Sequence, residues 1–196
     1  MRATVLAISA LASLILSTWA DNVPSGPFNA VAHAPDSAAD GLTIEAYEGR
    51  FFGAVHPNVT CGPSPTALCK GYNRTALAFH DGLLYLETQS NASQLVQAKL
   101  DGEMVYSAAG DGVSHTADGI HDFYINTNNS LGMPQLMVSS GLLWLACPPF
   151  QGTSGPITWQ ILVDMPNVCT PVAQQCVWVN LTITSDTTAA AFAYEV

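Results

Sequence analysis

The chain is predicted to adopt an all-β fold, a single-domain antiparallel β-sandwich or barrel, on three observations. Apolar and β-branched residues gather in short runs; the turn dipeptides Asp81-Gly82, Asp101-Gly102, Asp111-Gly112 and Ser140-Gly141 separate several of them; and no stretch after residue 20 sustains helical spacing. A trefoil-like barrel is the alternative. Four segments share a glycine turn followed by an aromatic-bearing strand (EGRFFGAV, DGLLYLET, DGEMVYSA and SGLLWLAC), but their glycines at 49, 82, 102 and 141 are unequally spaced and define no repeat.

In chain order, residues 1–20 read as a signal peptide. Arg2 supplies the positive start, Val5 to Leu16 the apolar stretch, and Thr18 and Ala20 the small residues before a cleavage expected after Ala20. That stretch falls short of the roughly 20 residues a membrane-spanning helix needs, and later apolar runs are broken by Gly, Pro, Asn or Asp, so no membrane span is expected. Residues 21–196 are expected to form one β domain, entered through a loose segment from Asp21 to Pro27.

The expected strands are 28–32, 42–46, 51–55, 77–79, 83–87, 95–100, 104–107, 123–125, 135–138, 142–147, 159–163, 177–184 and 190–194. Each is a β-branched, aromatic or aliphatic run, and Asp-Gly and Ser-Gly pairs tolerate the positive φ of the tight turns between several of them. With 48% hydrophobic and only 10% charged residues, the chain has the material for a packed core rather than for disorder.

Charge excludes one class of partner. The formal net charge is −10, and loss of Arg2 with the leader leaves Arg50, Lys70, Arg74 and Lys99 as the only Lys and Arg side chains. Binding to a phosphate backbone needs clustered cations, so no nucleic-acid partner is expected.

Five Asn-x-Ser/Thr sequons, at Asn58, Asn73, Asn91, Asn128 and Asn180, lie beyond the leader, and none has proline in the middle. In a secreted chain they imply N-glycosylation. Asn180 sits inside an expected strand and qualifies only if its side chain points outward. Five cysteines, Cys61, Cys69, Cys147, Cys169 and Cys176, would enter an oxidising compartment, so pairing is expected with one left over. Cys61 and Cys69 flank the pre-bent segment GPSPTAL and are expected to bridge locally. A second bridge joins Cys147 to Cys176 or to Cys169, or Cys169 to Cys176.

No metal or cofactor is expected. His115, Asp118, His121 and Asp122 in HTADGIHD carry ligand chemistry, but no helix holds their spacing, and the composition is also that of a solvated loop. Ser154 in GTSGP lacks the spacing of a nucleophile elbow. Glu45, Glu48, Glu87 and Glu103 could supply the carboxylate pair of a glycosidase, yet nothing in the sequence pairs them. Tyr47, Tyr72, Tyr85, Tyr106, Trp144 and Trp178 are candidate sugar contacts through their ring faces. Most are expected to be core, Trp144 and Trp159 above all, with Tyr72 at the surface.

The order of landmarks resembles fungal cell-wall proteins related to the phialide-development wall protein, a group that includes secreted IgE-binding antigens. The resemblance rests on FNAVAH after the leader, Phe51 with Phe52, the pair Cys61 and Cys69, GEMVYSAAGDG, Ala146-Cys147-Pro148, Gly155-Pro156 before WQILV, and a late cysteine leading into the final strands. It implies a Cys147–Cys176 bridge, with Cys169 left over and open to an intermolecular disulfide. It also implies a secreted, non-catalytic protein with a structural or developmental role in the fungal wall, touching cell-wall polysaccharide. The alternative is a secreted carbohydrate-binding or effector-like module acting outside the producing cell.

Overall fold

The computed structural model describes residues 26–55, 59–60, 74–88, 94–110, 119–148, 158–166, 175–185, 193–194 and 196. Among them the regular structure is entirely β. The strands are β1 (Phe28–His33), β2 (Ile44–Tyr47), β3 (Arg50–Gly53), β4 (Val59–Thr60), β5 (Leu77–His80), β6 (Leu83–Leu86), β7 (Gln94–Lys99) and β8 (Met104–Tyr106). They continue with β9 (Gly119–Ile120), β10 (Phe123–Asn126), β11 (Gln135–Val138), β12 (Trp144–Cys147), β13 (Trp159–Val163), β14 (Val177–Ser185) and β15 (Ala193–Tyr194). The expected strands recur with ends shifted by a few residues. The two-residue strands β4 and β9 are additions, too short to leave a periodic signal in the sequence.

Local chemistry explains the tightest hairpins. Between β5 and β6, Asp81 (φ 51°) and Gly82 (φ 81°) both take positive φ beneath the closing pair His80 and Leu83. A two-residue loop with two positive φ angles has the twist that antiparallel strands need, and Asp-Gly adopts it at little steric cost. Gly102 has a further constraint. Its φ is 86°, its carbonyl accepts a 2.8 Å bond from Val163 N, and a Cβ there would run into the Val163 carbonyl oxygen. The turn between β7 and β8 can therefore lie against the end of β13 only without a side chain.

Thirteen strands form one antiparallel sheet, and β4 with β15 makes a separate two-stranded ribbon. Neighbours run β1, β5, β6, β7, β8, β3, β13, β12, β14, and β14 then pairs back with β1 from Phe28↔Ser185 to His33↔Asn180. The pairing path thus returns to its start, giving a sandwich- or barrel-like shell. Side chains alternate across it as the pleat dictates: Val179, Leu181 and Ile183 of β14 enter the core, while Trp178, Asn180 and Thr184 face out. The core they join includes Phe28, Phe51, Leu84, Val96, Trp144 and Ile161. Full burial contributes about 1.5–3 kcal/mol for each large aliphatic or aromatic side chain. One space inside the shell, between residues such as Ala30, Phe51, Val96 and Ile161, is about 10 Å³, room for about one water and not for an organic ligand.

Trp144 is buried as expected, stacked on Phe123 with ring centroids 6.2 Å apart, and its Nε1–H donates to Leu136 O at 2.7 Å. Trp159 is only half-buried, at the margin of the core.

Gly102→Ala is expected to lower unfolding free energy by about 2–3 kcal/mol, from positive-φ strain plus the clash with Val163. Gly141→Ala, where φ is 72° and no atom lies within 4 Å of the added Cβ, is expected to cost only about 1 kcal/mol. Urea denaturation of the two variants measures the difference.

Candidate functional site

Two polar arrangements and one outward face emerge once the strands are in place. The first arrangement is internal. The segment from Arg74 to Ala76 belongs to no strand, so its buried backbone groups need partners from side chains. Glu45, itself buried on β2, accepts a hydrogen bond from Thr75 N; Thr75 Oγ1 accepts from Ala46 N at 2.7 Å; Asn29 Nδ2 donates to Thr75 O at 2.7 Å. Tyr194 Oη accepts from Ala76 N at 3.0 Å. Gln94, fully buried at the start of β7, then holds Tyr194 as a strand residue would. Its Oε1 accepts from Tyr194 N at 2.7 Å, and its Nε2 donates to Tyr194 O at 2.9 Å and to Ser107 O at 3.0 Å. Glu45 is thereby committed to structure.

The other candidate carboxylates have structural neighbours as well. Glu103 meets Lys99 Nζ at 3.1 Å and Arg50 Nη2 at 3.4 Å and accepts a 3.4 Å bond from Gln160 Nε2; Glu87 meets His80 Nε2 at 3.1 Å. Glu48 stands exposed in the turn between β2 and β3 with φ 47°. Two basic side chains, Arg50 and Lys99, therefore converge on a single acid instead of forming a free cationic surface. His121 and Asp122 lie between β9 and β10, whereas His115, Asp118 and Ser154 fall outside the described residues. Among the described residues, no three His, Cys, Asp or Glu side chains are grouped as metal ligands. Likewise, no helix among them is long and apolar enough to cross a membrane.

The outward face spans β14, β12 and β13. Trp178 is opposite Leu145, and Leu145 is opposite Leu162. Tyr85, Tyr106 and Trp144 are buried and Tyr47 is half-buried against Phe52, as expected of most of these aromatics, whereas Trp178 is 69% exposed. The reason is the alternation of β14: with Val177 and Val179 inward, the indole has to point to solvent. Period-two spacing in VWVNLTIT carries that signal, and it also places Trp178 and Asn180 on one face. The indole Nε1–H donates to Asp164 Oδ2 at 3.4 Å, and Asp164 N donates to Leu143 O at 2.8 Å. Leu143, which precedes Trp144 of β12, is itself 47% exposed. Tyr72 lies outside the described residues.

Cys147 and Cys176 form a disulfide with Cα atoms 4.1 Å apart. The Ala146↔Val177 pair ends the ladder one residue short of them, so the bridge joins directly opposed positions on adjacent strands. This selects one of the pairings that the sequence left open. Cys61, Cys69 and Cys169 lie outside the described residues. Of the sequon asparagines, Asn128 and Asn180 are exposed, Asn128 in a turn where its N–H donates to Asn126 Oδ1 at 3.0 Å. Asn58, Asn73 and Asn91 lie outside the described residues.

No protein-family model, no curated protein and no solved structure matches the chain.

Gln94→Leu is expected to strand the Tyr194 backbone and cost about 3 kcal/mol, since each unsatisfied buried group costs about 1–3 kcal/mol. Limited proteolysis checks it: the first new cleavage should fall near Tyr194. Replacing both Cys147 and Cys176 by Ser opens a bridge of sequence separation 29 and is expected to remove about 3–4 kcal/mol on the loop-entropy account. Denaturant titration with unchanged far-ultraviolet circular dichroism is the check.

Proposed function

We propose that this chain is a secreted, N-glycosylated, non-catalytic cell-wall or surface protein with a structural or developmental role in the fungal wall. The observation that carries the reading is the Cys147–Cys176 bridge between opposed strand positions, because such bonds persist in oxidising compartments. The exposure of Asn128 and Asn180 is consistent with glycans at both. A non-catalytic role draws support from the carboxylates. Glu45 secures a buried backbone segment, and Glu103 pairs with two cations. The wall itself enters through the resemblance in landmark order, with polysaccharide as partner and Cys169 available for a disulfide to another chain. The net negative charge would keep copies apart in a mildly acidic medium.

A second reading, a secreted carbohydrate-binding or effector-like module, is favoured by one feature, the exposed indole of Trp178.

Fractionation of producing cells tests the first reading. Release of the protein from washed walls by reductant or glucanase is expected, with glycopeptides and the Cys147–Cys176 peptide found by mass spectrometry. Recovery from culture fluid alone would count against retention in the wall, and an intact Met1 with reduced cysteines in the cytosol would remove the secreted reading altogether.

A further inference from the structure

The largest exposed apolar side chain beside a sequon is Trp178. It shares the outer face of β14 with Asn180 two residues on, a separation of about 7 Å along a strand. Val179, the residue between them, pairs with Trp144, and Leu143 immediately precedes Trp144. The indole N–H donates to Asp164 Oδ2 at 3.4 Å, and the side chain is 69% exposed, so much of the ring is open to solvent. Trp178 and Leu143 are both exposed, and the sequon asparagine Asn180 stands on the same outer face as Trp178.

We propose that the N-glycan of Asn180 lies over Trp178 and Leu143, its first N-acetylglucosamine stacked on the indole, so that this sequon supplies a built-in cover for the outer face of β12 and β14. The inference rests on the secreted, glycosylated reading above. The C–H-bearing face of a pyranose ring is apolar and slightly positive, which matches the negative face of an indole. Attachment needs a lipid-pyrophosphate-linked oligosaccharide. The Asn180 Nδ2–C1 bond forms as the bond from C1 to the pyrophosphate oxygen breaks, the amide nitrogen loses one proton, and the lipid pyrophosphate leaves.

The folded structure also sets when this happens. Thr182, the third residue of the sequon, is buried and its Oγ1 donates to Val31 O at 3.2 Å. The hydroxyl is accessible to a transferase only before β14 docks on β1, so the glycan precedes closure of the shell and Trp178 meets it as the strand folds into place.

The full chain, expressed through a eukaryotic secretory pathway, provides the test. Glycopeptide mapping gives occupancy at each sequon, and oxidation by N-bromosuccinimide, followed by peptide mapping, gives the reactivity of Trp178. The expected result is an occupied Asn180 with slow oxidation of Trp178, oxidation severalfold faster in Asn180→Gln, and an unchanged rate in Asn128→Gln. Buried Trp144 should stay unreactive throughout, showing that the variants are folded. Equal Trp178 rates in wild type and Asn180→Gln overturn the proposal, as does an empty Asn180 in a chain glycosylated elsewhere. Protection of Trp178 by added chitin or β-glucan oligosaccharides on a chain lacking the Asn180 glycan would assign the face to a foreign polysaccharide instead. A secreted chain with no glycan at any sequon overturns this inference together with the glycosylated reading, and is distinguishable from failure at Asn180 alone.

Discussion

The strand from Val177 to Ser185 carries the constraint on which the shell depends. Its first residues pair with β12, its remainder pairs with β1, and Leu181 and Thr182 also pair with β11, so one strand completes the circuit of hydrogen-bonded neighbours. Register along it is not free to slip. A shift by one residue would carry Trp178 and Asn180 inward and expose Val179, Leu181 and Ile183, losing burial on both counts. The Cys147–Cys176 bridge sits at the start of this strand and pins the same register covalently.

The internal polar arrangement solves a second problem. A shell assembled from short strands leaves stretches such as residues 74–75 outside the ladders, and a buried N–H with no acceptor is costly. Thr75, Glu45, Asn29 and Gln94 provide the missing partners and join segments far apart in sequence: Tyr194 Oη reaches Ala76 N across 118 positions. Networks of this kind tolerate little rearrangement, because removing one member leaves several others unpaired in a low-dielectric interior.

On the outside the same chain is acidic, with Arg50 and Lys99 drawn onto Glu103 and two sequon asparagines facing water. The space inside the shell between Ala30, Phe51, Val96 and Ile161 has room for about one water. Trp178, Asn180 and the bridged cysteines adjoin the same strands. That placement puts the covalent crosslink and the exposed indole on neighbouring strands of one face.

Much of the fold was legible because it depends on neighbours in sequence. Short β-branched runs, and Asp81-Gly82 with its two positive φ angles, are set by local sterics and the pleat. The alternation in VWVNLTIT is legible too, and it places Trp178 and Asn180 on the outer face. Gln94 and Thr75 could not have been picked out, since a polar residue at a strand start looks the same whether its partner is water or a backbone 100 positions away. What the sequence determined alone was the all-β class, the strand segments and the tight turns, along with the inventory of cysteines and sequons. Only the tertiary structure decided which cysteine meets Cys147, which aromatic rings face solvent and which polar side chains go inside, because those outcomes follow from which distant segments pack together.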